Sequence, residues 1–245
     1  MKHTVSEVRL ANGARGLLID VPGATVMSFR FHFRAGNRYV GDKNVYETAH
    51  IMEHMAFGAN AQFANEHAYE AEFTKNGAYH NAMTSDLSMV YVAECADFEW
   101  ERILRFQQVA ICQPRFKQEE LDAEKGNVRS ELTGYLNNNG YVLWPKIQQL
   151  MGEDVYTFRQ RLRLIDNVTL QHIRHHHTLT HTSDNMRFVI AGNLHGRKAH
   201  IQRMLEAWEL PRGKRFDVPR DELRKAGPTL IRRKEASNLT FGWST

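Results

Sequence analysis

The pentamer His50-Ile51-Met52-Glu53-His54 sets two imidazoles four residues apart. On a helix that spacing puts both rings on one face. Two neutral ring nitrogens so presented can share one divalent metal ion, and zinc is well suited to such ligands. Glu53 follows His50 by three residues and falls close to the same face. A carboxylate there can take a proton from a water whose pKa the metal has lowered to about 7. Ala49, Ile51, Met52, Met55, Ala56 and Phe57 make the rest of this stretch apolar. The histidines are therefore expected in or beside a core, where buried polar groups need partners.

A catalytic zinc takes a third protein ligand and keeps one position open for water. The segment Gln118 to Leu136 offers Glu119, Glu120, Glu124 and Glu131. Glu124 and Glu131 are seven residues apart, two helical turns, and so share a face. One could bind the metal while the other orients a ligand histidine. Spacing alone does not choose between them.

These side chains need elements to carry them. Glu7 to Leu10 and Gly16 to Val21 flank Asn12-Gly13, a hairpin signal. Val26 to Phe33 alternates, with Met27, Phe29, Phe31 and Phe33 on its apolar side. Asn44 and Glu47 fit a loose capping box, which predicts a helix over Val45 to Phe57. Helices are also predicted over Asn65 to Asn76 (closed by Gly77), Asp97 to Ala110, Gln118 to Leu136, Val142 to Met151, Phe158 to Leu164, Leu170 to Thr178 and Arg197 to Trp208. Ala78 to Met83, Leu87 to Cys95 and Met186 to Ala191 read as strands. The mixture implies an α+β fold, a sheet with helices packed on it.

Composition narrows the function. At 245 residues and 42% hydrophobic, the chain can bury a substantial core and is not of disordered composition. No run of 18 apolar residues exists, so no membrane span is expected. The segment Met1 to Glu7 has no secretory-signal pattern, so a cytoplasmic location is expected. Cys95 and Cys112 are too few for a disulfide scaffold and read as core residues. The net charge is +4, but Arg212 to Glu235 holds nine Lys/Arg against four Asp/Glu, a local +5 that leaves −1 for the rest. That tract reads as a solvated connector or as a surface for acidic peptides. Its one aromatic, Phe216, does not suggest base stacking, so no nucleic-acid partner is expected. His172, His175, His176, His177 and His181 lack a carboxylate at matching spacing and read as a solvated helix face, with a weak accessory metal site at His177 and His181, four apart, as the alternative.

The chain resembles the pitrilysin/insulinase family of zinc peptidases, which includes the mitochondrial processing peptidases. That family carries an inverted H-x-x-E-H motif followed by F and a G-T-like pair; here stand His50, Glu53, His54, Phe57 and Ala59-Asn60. Its third ligand is a downstream glutamate preceded by another, and here Glu131 lies 77 residues after His54 with Glu124 before it. Arg34 to Arg38, the stretch Asn76 to Ser85, and Asn185-Met186 through Gly192-Asn193 also resemble family segments. The likeness runs over residues 5–210.

The resemblance implies one zinc per chain held by His50, His54 and Glu131, with Glu53 as general base. Glu124 would orient a ligand histidine, and Asn81 and Ala82 would line the substrate cleft. It implies a mainly antiparallel mixed sheet forming one half of a two-half clamshell, and a metalloendopeptidase acting on peptides or unfolded segments. The domains expected are a zinc-bearing half over 1–211, a basic connector over 212–237, and the opening strand of a second half over 238–245. The missing half implies either that the chain is a fragment or that a homo- or hetero-oligomeric partner supplies it, with weak activity without it. The competing expectation is a non-catalytic binding or assembly subunit that keeps the fold. Ala59-Asn60 in place of the usual pair implies a reshaped loop after the zinc helix.

Overall fold

The computed structural model describes residues 2–222, 225, 227–232 and 242. Six strands form one mixed sheet: β1 (Thr4–Arg9), β2 (Arg15–Asp20), β3 (Val26–Phe33), β4 (Tyr79–Thr84), β5 (Met89–Ala96) and β6 (Arg187–Gly192). Their order is β1-β2-β6-β3-β5-β4. Among the described residues only the β2–β6 pairing is parallel, and β3 is bonded on both sides, to β5 and β6. The helices are α1 (Thr48–His54), α2 (Glu66–Phe73), α3 (Trp100–Cys112), α4 (Gln118–Leu136), α5 (Asn139–Leu150), α6 (Phe158–Leu164), α7 (Leu170–Thr180) and α8 (Lys198–Glu206).

The period-two pattern of β3 decides where the core lies. Met27, Phe29, Phe31 and Phe33 are all fully buried, while Val26 and Arg30 face out. The buried side meets Ile51 and Met52 of α1, Ile103, Leu104 and Ile111 of α3, Leu121, Val128 and Leu132 of α4, and Ile173 of α7 in one continuous core. Phe31 packs its ring against Trp208, centroids 4.6 Å apart. Phe31→Ala is expected to destabilise the fold by about 3–5 kcal/mol, through lost transfer energy and the cavity left in a central strand. Denaturant unfolding measures this; a loss well below 1 kcal/mol would mean the core is not built around β3.

The first predicted helix is broken into parts. A 3₁₀ turn, Lys43–Val45, comes first, capped by Asp42, whose Oδ1 accepts from the Asn44 N–H at 2.8 Å. Then come α1 and a second 3₁₀ turn, Met55–Phe57. The Asn44–Glu47 capping box does not form, because the Glu47 side chain is engaged elsewhere (below). Gly77 adopts φ of +76°, the left-handed conformation that ends the turn after α2.

The histidine run on α7 and at its C-terminal end is only partly a solvated face. His176 and His181 are buried. His176 Nε2 meets the Ala35 carbonyl at 2.9 Å, and His181 Nε2 meets the Tyr91 hydroxyl at 2.8 Å. Burial lowers the pKa of both, to about 4 for His176, so they serve as neutral core hydrogen-bonders. His172 and His175 remain at the surface. Cys95 is buried and Cys112 is partly buried against the core, both as free thiols.

The basic tract leaves the body along a docked path. Arg215 donates to the Asn185 carbonyl at 2.9 Å, Tyr39 to the Asp217 carbonyl at 3.1 Å, and Arg38 makes a two-pronged pair with Asp221 at 2.7 Å. The expected second-half strand, Asn238 to Trp243, lies outside the described residues except for Gly242. No helix among the described residues is long and apolar enough to cross a membrane.

Candidate metal centre

Helix α1 is seven residues long and mostly buried, and its one polar stripe faces α4. His50 and His54 lie on that stripe with ring centroids 5.0 Å apart. Helix α4 crosses so that Glu131 Oε2 stands 3.3 Å from His50 Nε2 and 3.4 Å from His54 Nε2. One ligand atom from each of the three lies within 4.8 Å of the others, the one such donor group among the described residues.

The remaining ring nitrogens are already engaged. His50 Nδ1 is 3.1 Å from Glu47 Oε2, and His54 Nδ1 is 3.1 Å from Glu124 Oε2. A carboxylate only accepts, so each Nδ1 is the donor of its ring. In neutral imidazoles both Nε2 atoms are then lone pairs, and they face a third acceptor, Glu131. Three acceptors aimed at one point require positive charge between them. Protons can supply it. Although burial opposes, hydrogen bonds donated to Glu124 and Glu131 raise the His54 pKa to about 10, and those to Glu131 and Glu47 raise that of His50. Hydrogen bonds from His50 and His54 hold Glu131 far below the usual carboxylate range. A divalent metal ion supplies the same charge without protonating the rings, so the donor set fits zinc in type and number.

The structure thus separates the two glutamates that spacing left equivalent. Glu131 faces both Nε2 atoms, and Glu124 backs His54. Glu53 lies on the last turn of α1, half-exposed, and its charge is felt at His54 and at Tyr91. Its carboxylate makes no hydrogen bond or ion pair among the described residues. Asn81 and Ala82 lie on β4, which packs against α1 and forms one edge of the sheet. Asn81 is exposed, and its Oδ1 accepts from the Ala82 N–H at 2.9 Å; Ala82 is buried.

Three residues were not read from the sequence as neighbours of the ligands, Glu47 having been read as a capping residue. Glu47, fully buried, binds Arg161 of α6 through both oxygens, at 2.6 and 2.9 Å. Tyr135 donates its hydroxyl to Glu131 Oε1, the oxygen turned away from the histidines. Glu47 and Tyr135 stand one helical turn from His50 and Glu131, which is the signal that could have found them; nothing local marks Arg161. After α1, Asn60 is buried and takes over the loop. Its Oδ1 accepts from the N–H groups of Gln62 and Phe63 at 3.0 and 2.9 Å, and Ala59 N–H donates to Glu120 at 2.7 Å.

Comparison with known proteins places the chain in a family. Residues 17–149 match the family described as Insulinase (Peptidase family M16). The chain is 26% identical over 192 residues to the mitochondrial-processing peptidase subunit beta of Caenorhabditis elegans, covering 76% of this chain and 40% of that protein. It is 29% identical over 144 residues to the A-factor-processing enzyme of Saccharomyces cerevisiae, covering 58% of this chain and 13% of that one. Its fold is similar to that of a protease from Helicobacter pylori, with a TM-score of 0.76 at 17% identity, over 91% of this chain and 54% of the other. It is similar also to pitrilysin, with a TM-score of 0.76 at 19% identity, over 90% and 24%. A Pseudomonas fluorescens structure described as a peptidase M16 inactive domain scores 0.73 at 16% identity, over 91% and 54%. The chain therefore spans well under two thirds of the length of these relatives.

Proposed function

Because this chain belongs to the insulinase family, peptidase family M16, we propose that it is the metal-bearing part of a zinc-dependent endopeptidase acting on peptides or unfolded polypeptide segments. The observation that carries the reading is the convergence of His50 Nε2, His54 Nε2 and Glu131 Oε2 with the other nitrogen of each ring already occupied. Fold alone does not choose between enzyme and binding subunit, since one similar structure is described as an inactive domain. The retained ligand set and base favour the enzyme.

His50, His54 and Glu131 would hold one zinc ion, and Glu124 would fix the His54 ring. Zinc, when bound, supplies Lewis acidity that acidifies water and polarises a peptide carbonyl. Glu53 takes the proton from the attacking water and delivers it to the leaving amine. The peptide adds to the free edge of β4 at Asn81 and Ala82, where main-chain hydrogen bonds give affinity with little dependence on sequence. The rest of the chamber comes from further chain or a partner subunit, in keeping with the share of each relative that this chain spans. A half-chamber lacks part of its oxyanion stabilisation, so the lone chain works slowly.

Metal analysis and a quenched fluorescent peptide test this reading. One zinc per chain is expected, with slow hydrolysis that a chelator stops and added zinc restores. A chain that takes up no zinc, or cleavage indifferent to chelator, overturns it. Vigorous hydrolysis by the single chain overturns the need for a second half.

A further inference from the structure

The ring nitrogen of His50 that faces away from Glu131 has two neighbours of opposite charge. Glu47 Oε2 lies 3.1 Å from Nδ1, and Arg161 Nη2 lies 3.3 Å from the same atom. A proton on Nδ1 donates to Glu47 and leaves Nε2 a lone pair toward Glu131. A bare Nδ1 would instead accept from Arg161 and put the proton on Nε2, blocking the donor that the metal site requires. The balance is set by how firmly Arg161 is held by Glu47. Its Nε and Nη2 reach the two Glu47 oxygens at 2.6 and 2.9 Å, so the guanidinium is committed to the carboxylate. Rings fix its plane as well: its Cζ lies 5.4 Å from the Phe158 centroid and 6.0 Å from that of Tyr46. Glu47 is 0% exposed and Arg161 15%, so the pair is largely shielded from water.

We propose that Glu47 is a positioning residue for His50, held in place by Arg161, and that the pair fixes the His50 tautomer whose Nε2 is free to bind metal. The proposal rests on the zinc reading given above. Two features argue for positioning over plain fold stability. First, Glu47 Oε2 is shared between Arg161 and the histidine, so the pair ends on the ring. Second, Arg161 cancels the Glu47 charge, which lets a carboxylate back His50 without adding net negative charge to a site that already holds Glu53, Glu124 and Glu131. His54, half-exposed, is backed by Glu124 without such a counter-charge among the described residues.

The test replaces the pair in a way the fold tolerates, since a buried ion pair can be exchanged for apolar residues of similar volume. Zn²⁺ affinity is read by competition with a chromophoric chelator, and Co²⁺ loading by its visible absorption. For Glu47→Leu/Arg161→Met, a melting temperature near wild type is expected with Zn²⁺ affinity about 10–100-fold lower and a changed Co²⁺ spectrum. Glu47→Gln/Arg161→Met, whose amide oxygen can still accept from Nδ1–H, is expected to recover part of that loss. In the Zn²⁺-loaded wild-type chain, ¹⁵N spectra should show His50 protonated at Nδ1 and metal-bound at Nε2. Should Glu47→Leu/Arg161→Met fail to fold, Glu47→Gln/Arg161→Met and the wild-type spectra still decide the matter. A folded Leu/Met variant with wild-type Zn²⁺ affinity, or His50 bound through Nδ1, overturns the proposal while leaving the zinc reading intact. A wild-type chain that binds no Zn²⁺ overturns both.

Discussion

Glu53→Gln is expected to leave one zinc per chain and to lower kcat by about 10²–10⁴-fold, with KM little changed. The loss corresponds to about 2.7–5.5 kcal/mol of transition-state stabilisation. Three features of the residue set this expectation. Glu53 lies beside His54 on the last turn of α1, close enough for its charge to be felt there. It is half-exposed, so water reaches it. Its oxygens are spent on no other hydrogen bond among the described residues, unlike those of Glu47, Glu124 and Glu131. Glutamine keeps the shape and removes the one property a general base needs. Zinc analysis beside single-turnover cleavage checks it. Retained cleavage with zinc bound would assign the proton transfer to another group. Loss of zinc would make Glu53 part of the metal site.

What the sequence disclosed about this protein follows a physical line. Patterns set within one element were readable, because period and type are local: His50 with His54, the β3 alternation, and the extents of α4 and α6. Contacts that depend on how helices cross were not. Glu124 and Glu131 share a face in either case, and only the approach of α4 to α1 tells which meets the Nε2 atoms. Arg161 lies 114 residues from Glu47 and carries no local mark of its role. The α7 histidines misled for the same reason. Five in ten residues look like a wet surface, yet the Ala35 carbonyl and the Tyr91 hydroxyl, from distant segments, give His176 and His181 the partners that burial demands. The capping box at Asn44 failed because the ion pair with Arg161 claimed the Glu47 carboxylate.

The crossing of α1 and α4 makes a second large effect predictable, as a ranking of two isosteric substitutions. Glu131→Gln is expected to lower Zn²⁺ affinity by more than the about 10–100-fold that loss of an orienting partner costs, and Glu124→Gln by an amount within that range. Glu131 Oε2 is the oxygen that faces both Nε2 atoms, at 3.3 and 3.4 Å. Its replacement takes away a donor and the negative charge that offsets the metal. Glu124 touches only the far side of His54, and Asn127 Nδ2 donates to the same oxygen at 3.0 Å. A neutral amide oxygen there can still accept from Nδ1–H, so the ring keeps its tautomer and loses only charge assistance. Cleavage should follow the same order once zinc is added to saturation: Glu124→Gln recovers most of its rate, and Glu131→Gln does not. Chelator competition on the two variants, run at one pH, settles the ranking. The reverse order would exchange the roles of the two glutamates and would mean that α4 shifts along its axis when metal binds, since only such a slide brings Glu124 round to the Nε2 side.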